Sequence, residues 1–278
     1  TYTRGSMSLA AELAAALDAA RAAATVINAL YRRNLAITTK ADRSPVTEAD
    51  VRSEEAIRDV LMRRFPAYGF YGEETGRSAM GAESIWLVDP IDGTKSFVRD
   101  CPFFSTQIAL LRAGELVLGV SSAPAYGELA WATRGEGAFL DGERIRVSTT
   151  RALEDAIVST GNLKTLARAP QRWAHYADLV TRVSRIRGYG DFVHYHLLAR
   201  GSLDVVLESD VNILDIAALT VIVREAGGTA TALLGTAVQV LKAEAKVRTP
   251  GSPQGRTDER IAEKIQSTRS AVARTQKL

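Results

Sequence analysis

The stretch IWLVDPIDGTKSF, residues 85–97, decides the fold prediction because an apolar strand leads two carboxylates into a tight turn. Its first four residues are bulky and apolar, which is typical of a buried strand. Asp89 and Asp92 follow, three residues apart, and we expect Pro90 between them to break the strand. Carboxylates at the end of a buried strand are costly unless a cation compensates their charge. The stretch therefore predicts a cation-binding turn.

The segments around this turn alternate between helical and strand periodicity. Helical patterns cover 8–34, 49–65, 171–183, 191–200 and 215–227, and strand patterns cover 68–71, 105–111, 116–122, 129–133, 137–140, 156–160, 185–188 and 203–207. The strands of the first half follow one another through Gly and Pro turns, whereas those of the second half alternate with helices. The pattern predicts layers of helices and sheets, with a second half that is more α/β in character.

Composition excludes several classes of protein. The 278 residues carry a net charge of +3 without a basic run that interleaves aromatics, so nucleic-acid binding is disfavoured. The alanine-rich segment 9–30 contains three charged residues and predicts an amphipathic helix rather than a signal peptide or membrane span. Cys101 is the only cysteine, which fits a reducing compartment, and we expect a cytoplasmic protein. Residues 1–6, TYTRGS, look like a cloning remnant.

Acidic residues at the ends of predicted elements suggest a divalent metal site. They are Asp50, Glu73, Asp89, Asp92 and Asp215. With only three histidines and one cysteine in the chain, the available ligands are oxygens, which favours Mg²⁺, with Mn²⁺ as a possible substitute. Several converging carboxylates can hold two ions that polarise a phosphoryl oxygen and prepare a water nucleophile.

Three of these acids also have a purely structural interpretation. Asp50 completes a capping-box pattern with Thr47, and Asp215 suits the start of a helix. The pair Glu73–Glu74 is equally compatible with solvated charge after a strand.

The Gly93–Thr94 step adds a phosphate site to the predicted metal site. Glycine allows a ligand to approach the backbone closely, and amides that open a turn or helix bind phosphate oxygens.

The motifs together resemble the inositol monophosphatase family. They are DPIDGT (89–94), GEE (72–74), VTEAD (46–50), LDIAA (214–218) and EAGG (225–228). The resemblance implies an α+β fold, the layered αβαβα sandwich of the inositol monophosphatase and fructose-1,6-bisphosphatase type. It also implies a Mg²⁺-dependent, lithium-sensitive phosphomonoesterase that uses a metal-activated water.

The resemblance also implies a role for each matching residue. Glu73, Asp89 and the Ile91 carbonyl would bind one metal, and Asp89, Asp92 and Asp215 a second, with two or three ions in all. Thr94 would activate the water together with Glu73 and Asp50, Glu74 would lie near the site, and the Gly93 and Thr94 amides would hold the phosphate. Family members are usually homodimers, and segment 103–140 is a candidate interface.

Substrate choice is the open question. Asp191 in RIRGYGDFVHYHLLARG (185–201) resembles the histidinol-phosphate phosphatase branch, as does FVRDCPFFSTQIALL. Histidinol phosphate carries an ammonium group that Asp191 and Glu208 can bind, with Asp92 also facing substrate. Glu208 is alternatively a solvated strand-end residue, and His175, His194 and His196 are interpreted as packing or surface residues. The alternatives are an inositol or sugar phosphate, a nucleotide 3′-phosphate, and a non-catalytic ligand-binding role.

Two departures from the family pattern concern the C-terminal part of the chain. Leu214 stands where the family usually has Trp before the metal-binding Asp. Residues 229–278 do not match the family pattern and form an atypical tail. We nevertheless expect a single phosphatase domain over 7–278, with halves at about 7–150 and 151–278.

Overall fold

The computed structural model of the chain describes residues 8–33, 35–39 and 45–231. These residues belong to one compact unit. The helices among them are α1 (Ala10–Leu30), α2 (Glu48–Arg64), α3 (Thr94–Phe97), α4 (Lys164–Ala167), α5 (Pro170–Arg182), α6 (Asp191–Ala199) and α7 (Ile213–Glu225), with a 3₁₀ turn at Leu153–Asp155. The predictions for residues 1–6 and for the tail from residue 232 onward lie outside the described residues.

The strands fall into three sheets. They are β1 (Thr38–Thr39), β2 (Pro45–Val46), β3 (Gly69–Gly72), β4 (Arg77–Ser78), β5 (Ser84–Asp92), β6 (Ser105–Arg112), β7 (Glu115–Ala123), β8 (Glu128–Thr133), β9 (Gly137–Leu140), β10 (Glu143–Ile145), β11 (Ile157–Gly161), β12 (Arg185–Arg187) and β13 (Val205–Glu208). The large sheet has the order β10-β9-β8-β7-β6-β5-β3-β4, and β12-β11-β13 form a small parallel sheet. Among the described strands of the large sheet, only β3 and β5 run parallel.

Strand β5 continues through the proline at which we expected it to break. The pairing of β5 with β6 shifts between Asp89 and Asp92, so Pro90 occupies an irregular point of the ladder where its missing N–H costs little. The Pro90 carbonyl accepts a hydrogen bond of 2.8 Å from Thr106 Oγ1. Asp89 and Asp92 therefore lie on either side of a bulge in the strand.

Helix α1 is apolar enough, by length and composition, to cross a bilayer, contrary to our expectation for this segment. Its buried alanines recur every three or four residues, and α1 packs on α2 and on β7 of the large sheet. Its buried Glu12 accepts hydrogen bonds from Tyr68 Oη at 2.9 Å and Arg112 Nη2 at 2.5 Å. These features are typical of a core helix, and one such helix is weak evidence for a membrane span.

The remaining helices complete the predicted α+β sandwich. Helices α1 and α2 cover one face of the large sheet, and α7 packs on β6, β7 and β8 and contacts α6, which in turn reaches the small sheet. A side chain at Gly119 on β7 would overlap the backbone of α7, so glycine permits this close approach. The strand order β12-β11-β13, taken with the right-handed crossovers that parallel strands generally make, implies that α5 and α6 lie on opposite faces of the small sheet. The order of layers is αβαβα.

Candidate active site

Parallel pairing of β3 with β5 places two acids side by side. Gly72 pairs with Val88, so the residues that follow, Glu73 and Asp89, leave the same edge of the sheet together. Burial, followed by the charge of the neighbouring Glu73, raises the pKa of the Asp89 carboxyl. Asp89 is buried and also accepts a 3.0 Å bond from the Ile91 N–H, whereas Glu73 is exposed.

The N-terminus of α7 adds a third acid to this edge. Asn212 caps the helix, and the Asp215 carboxylate accepts the Asn212 N–H at 2.8 Å in a capping box. Carboxylate oxygens of Asp89, Asp92 and Asp215 all lie within 4.8 Å of one another. The helix-start interpretation of Asp215 is confirmed and does not exclude the metal-site interpretation, because the same side chain also belongs to the carboxylate cluster.

The cluster is electrostatically unfavourable without a cation. Burial, together with the charges of neighbouring acids, raises the pKa of Asp89 and of Asp92 well above the usual range of a carboxyl. The same causes raise the pKa of Asp215 to about 6. Carboxylates that resist ionisation because they crowd one another match an oxygen-ligated divalent metal, which would relieve the repulsion. The three acids of this cluster therefore fit such an ion.

Asp50 combines a structural and a site contact. Its Oδ2 accepts the Thr47 N–H and hydroxyl at 2.7 Å each, which is the predicted capping box, while its Oδ1 accepts the Thr94 hydroxyl at 3.0 Å. The single Thr94 proton is shared with the Ile91 carbonyl oxygen, also at 3.0 Å. Burial raises the pKa of Asp50 by more than these hydrogen bonds lower it. The carboxylate is therefore a better proton acceptor.

The turn after β5 requires glycine at position 93. Gly93 has φ +91° and precedes α3, and a Cβ there would lie 2.7 Å from the Phe103 carbonyl oxygen. The glycine therefore fixes where Thr94 and its backbone amide stand relative to the acids.

Glu54 holds the loop that carries Glu73, a contact that sequence reasoning missed. This buried carboxylate accepts the backbone N–H groups of Glu74 at 2.8 Å and Thr75 at 2.6 Å, and the Thr75 hydroxyl. A side chain at Gly72 would overlap it. The available signal was its spacing, because Glu54 stands one helical turn after Asp50 on α2.

A pocket of about 60 Å³ adjoins the metal cluster. Five acids line it, namely Asp92, Asp191, Glu208, Asp210 and Asp215, and none of the described lining residues is lysine or arginine. Burial and the Glu208 charge raise the pKa of Asp191 to about 6. The structure thus brings the predicted substrate acids Asp191 and Glu208 to the predicted metal ligands, beside a cavity suited to a cationic group.

Two residues of α6, His194 and Tyr195, contact Glu208. From sequence, His194 was interpreted as a packing or surface residue, and Tyr195 was not considered. His194 Nε2 and Tyr195 Oη each lie 3.0 Å from Glu208 Oε2. They stand three and four residues after Asp191, so the helical period would have predicted one face for all three. His196 is also buried and contacts Glu128 and Ser121, whereas His175 is exposed on α5.

Comparisons with known proteins identify the family of the chain. The model of the inositol monophosphatase family matches residues 9–270. A histidinol-phosphatase of Mycobacterium tuberculosis is 44% identical over 73% of this chain and 80% of its own, and an inositol-1-monophosphatase of Rhizobium meliloti is 38% identical over 72% and 76%. A solved inositol monophosphatase from Zymomonas mobilis has a TM-score of 0.69 at 32% identity and covers 80% of this chain and 85% of its own. The chain belongs to the inositol monophosphatase family and is a phosphoric monoester hydrolase.

Proposed function

We propose that the protein is a Mg²⁺-dependent histidinol-phosphatase that hydrolyses L-histidinol phosphate, a step of histidine biosynthesis. The observation that carries the proposal is the pocket in which Asp191 and Glu208 adjoin the cluster of Asp92 and Asp215 with no basic residue among its described lining. Phosphate needs the metal and the turn amides, whereas a substrate ammonium needs the two further acids. The 44% identity to a histidinol-phosphatase supports the same substrate.

Two or three Mg²⁺ ions are proposed to be held by Glu73, Asp89, the Ile91 carbonyl, Asp92 and Asp215, with Mn²⁺ as a possible substitute. The donors are all oxygens, as these ions prefer. When bound, Mg²⁺ polarises the phosphoryl oxygens and lowers the pKa of water. The crowded carboxylates Asp89 and Asp92 supply the negative charge that holds it.

The protein's own residues position the nucleophile and the phosphate. The Thr94 hydroxyl orients the attacking water by accepting its proton, while Asp50 Oδ1 accepts the Thr94 proton. Glu73, which follows β3 beside Asp89, helps Thr94 and Asp50 to activate the water. Glu74 lies near the site. The Gly93 and Thr94 amides bind the phosphate, which the glycine turn lets approach the backbone.

A second candidate substrate is inositol 1-phosphate or a related sugar phosphate. The relative from Rhizobium meliloti, an inositol-1-monophosphatase at 38% identity, favours it. Polyol hydroxyls can donate to Asp191 and Glu208, but the uncharged inositol ring brings no positive charge to these two partly buried acids. A non-catalytic role is disfavoured because Thr94 and the metal-ligand candidates are all present.

Domain organisation, assembly and location are also inferred. We expect one phosphatase domain over 7–278, a homodimer that uses the strand-rich segment 103–140, and a cytoplasmic location. The resemblance and the single cysteine support these inferences.

The substrate proposal is tested by phosphate release from purified protein in Mg²⁺. Histidinol phosphate and inositol 1-phosphate are compared side by side, and kcat/KM is measured for each. A value at least about tenfold higher for histidinol phosphate corresponds to about 1.4 kcal/mol of discrimination and supports the proposal. A preference for inositol 1-phosphate overturns the substrate and favours the alternative.

A further inference from the structure

The Glu208 carboxylate is hydrogen-bonded to two side chains of α6. Its Oε2 receives hydrogen bonds from both His194 Nε2 and Tyr195 Oη, each at 3.0 Å. Its Oε1 lies at Gly161, where an added Cβ would approach it to 2.5 Å. The His194 side chain is fully buried and that of Glu208 is 8% exposed. One carboxylate oxygen is thus fully engaged, and the orientation of the whole group is fixed.

The direction of the hydrogen bonds fixes the tautomer of His194. An ionised Glu208 only accepts, so Nε2 of His194 carries the hydrogen and Nδ1 is left as an acceptor. The Ser159 hydroxyl, 3.4 Å from Nδ1, supplies the donor and itself accepts the Tyr189 N–H at 3.2 Å. Burial and the Glu208 charge raise the pKa of Tyr195, so its hydroxyl remains a donor. Every described member of this network therefore has a consistent role.

The same network reaches the segment that carries Asp191, the second of the two proposed ammonium-binding acids. Tyr189, whose N–H binds Ser159, stands two residues before Asp191 in the loop that leads into α6. His194 and Tyr195 follow Asp191 by three and four residues on the helix, and their rings pack edge to face. Glu208 on β13 is consequently tied to α6, the helix that begins at Asp191, by bonds that none of the catalytic roles uses.

We propose that His194 and Tyr195 are positioning residues that set Glu208 against Asp191 as a rigid ammonium-binding pair, so that the enzyme selects phosphate esters that carry an ammonium group. The inference rests on the proposed function and names the residues that would make the enzyme selective for its substrate. Preoriented carboxylates need little reorganisation when a cation enters, whereas a mobile glutamate must first be ordered. A purely structural role would instead make these residues necessary for stability alone.

The test measures the ratio of kcat/KM for histidinol phosphate to that for inositol 1-phosphate in saturating Mg²⁺. The variants are Tyr195→Phe, His194→Leu and His194→Gln in the full chain. Matched controls on α5 are Tyr176→Phe and His175→Gln. Thermal melting of every preparation reports folding, and Tyr195→Phe keeps the test decisive because it removes a single oxygen atom.

We expect Tyr195→Phe and His194→Leu to lower this ratio about tenfold, mainly through KM for histidinol phosphate, as for loss of a hydrogen bond to a charged group. His194→Gln, whose amide can still donate, should recover part of the ratio, and the α5 controls should leave it unchanged. Equal losses on both esters, or an unchanged ratio in Tyr195→Phe, overturn the positioning role while leaving the proposed function intact. If the unmodified enzyme itself prefers inositol 1-phosphate, which lacks an ammonium group, the proposed function has failed, and the inference fails with it.

Discussion

Replacement of Asp191 by asparagine is expected to stabilise the metal-free protein while it weakens substrate selection. Burial raises the pKa of Asp191 from 3.8 to about 6, so ionisation is less favourable in the folded than in the unfolded state. At about 1.4 kcal/mol per pKa unit, this difference corresponds to a destabilisation of about 3 kcal/mol when the group is charged. Asparagine removes the charge, and it tolerates the φ of +46° at this position.

The sign of the effect depends on pH. Below pH 3.8 the carboxyl is protonated in both states and contributes nothing to the difference. Between pH 3.8 and about 6 the unfolded state ionises first, so stability falls as the pH rises, and above pH 6 the full penalty applies. The gain from Asp191→Asn is therefore expected at pH 8 and should shrink toward pH 4.

The assay is thermal unfolding of EDTA-treated protein at pH 8 and at pH 4.5. At roughly 2–4 °C per kcal/mol for a chain of this size, the variant should melt about 6–12 °C higher at pH 8. Asp100→Asn is the matched control, because Asp100 is exposed and has φ +57°. In Mg²⁺ the gain should be smaller because nearby cations already offset the repulsion. A variant that melts at or below the unmodified protein at pH 8 would refute the reasoning.

Three further substitutions test other parts of the site. Asp89→Asn removes the central acid of the cluster and should abolish turnover while circular dichroism shows an intact fold; substantial activity would contradict the metal assignment. Glu54→Gln should weaken Mg²⁺ binding, measured by calorimetry, by roughly 10–100-fold through the loop that carries Glu73, and unchanged affinity would exclude that role. Gly93→Ala should lower kcat and the melting temperature together, because its Cβ would meet the Phe103 carbonyl at 2.7 Å; an active, stable variant would show that the turn adapts.

Much of the fold was predictable because burial leaves a periodic pattern in the sequence. The strands from Ser105 to Leu140 alternate with clear turns and lie where they were predicted. Pro90 misled the prediction because the general rule against proline in central strands does not anticipate a bulge. Short elements such as β4 and α4 are set by tertiary contacts and carry too few residues for a periodic signal.

The acids of the site were predictable because each stands at the end of an element. From sequence alone, a helix cap and a site residue were alternative interpretations of Asp50. In the structure its Oδ2 accepts the capping hydrogen bond from Thr47, and its Oδ1 accepts the hydroxyl of Thr94. The partners of Glu208 were not predicted, although His194 stands three residues after Asp191 and shares its helix face. Glu54 was missed because its acceptor role depends on backbone amides, which carry no residue signature.

The most direct measurement of the central claim is a Mg²⁺ titration of phosphate release from histidinol phosphate by metal-free enzyme. The carboxylate cluster predicts no release in EDTA and saturable activation on addition of Mg²⁺, with Mn²⁺ as a partial substitute. Undiminished release by thoroughly metal-free protein would contradict the account, because it would mean that hydrolysis does not depend on a cation held by Asp89, Asp92 and Asp215.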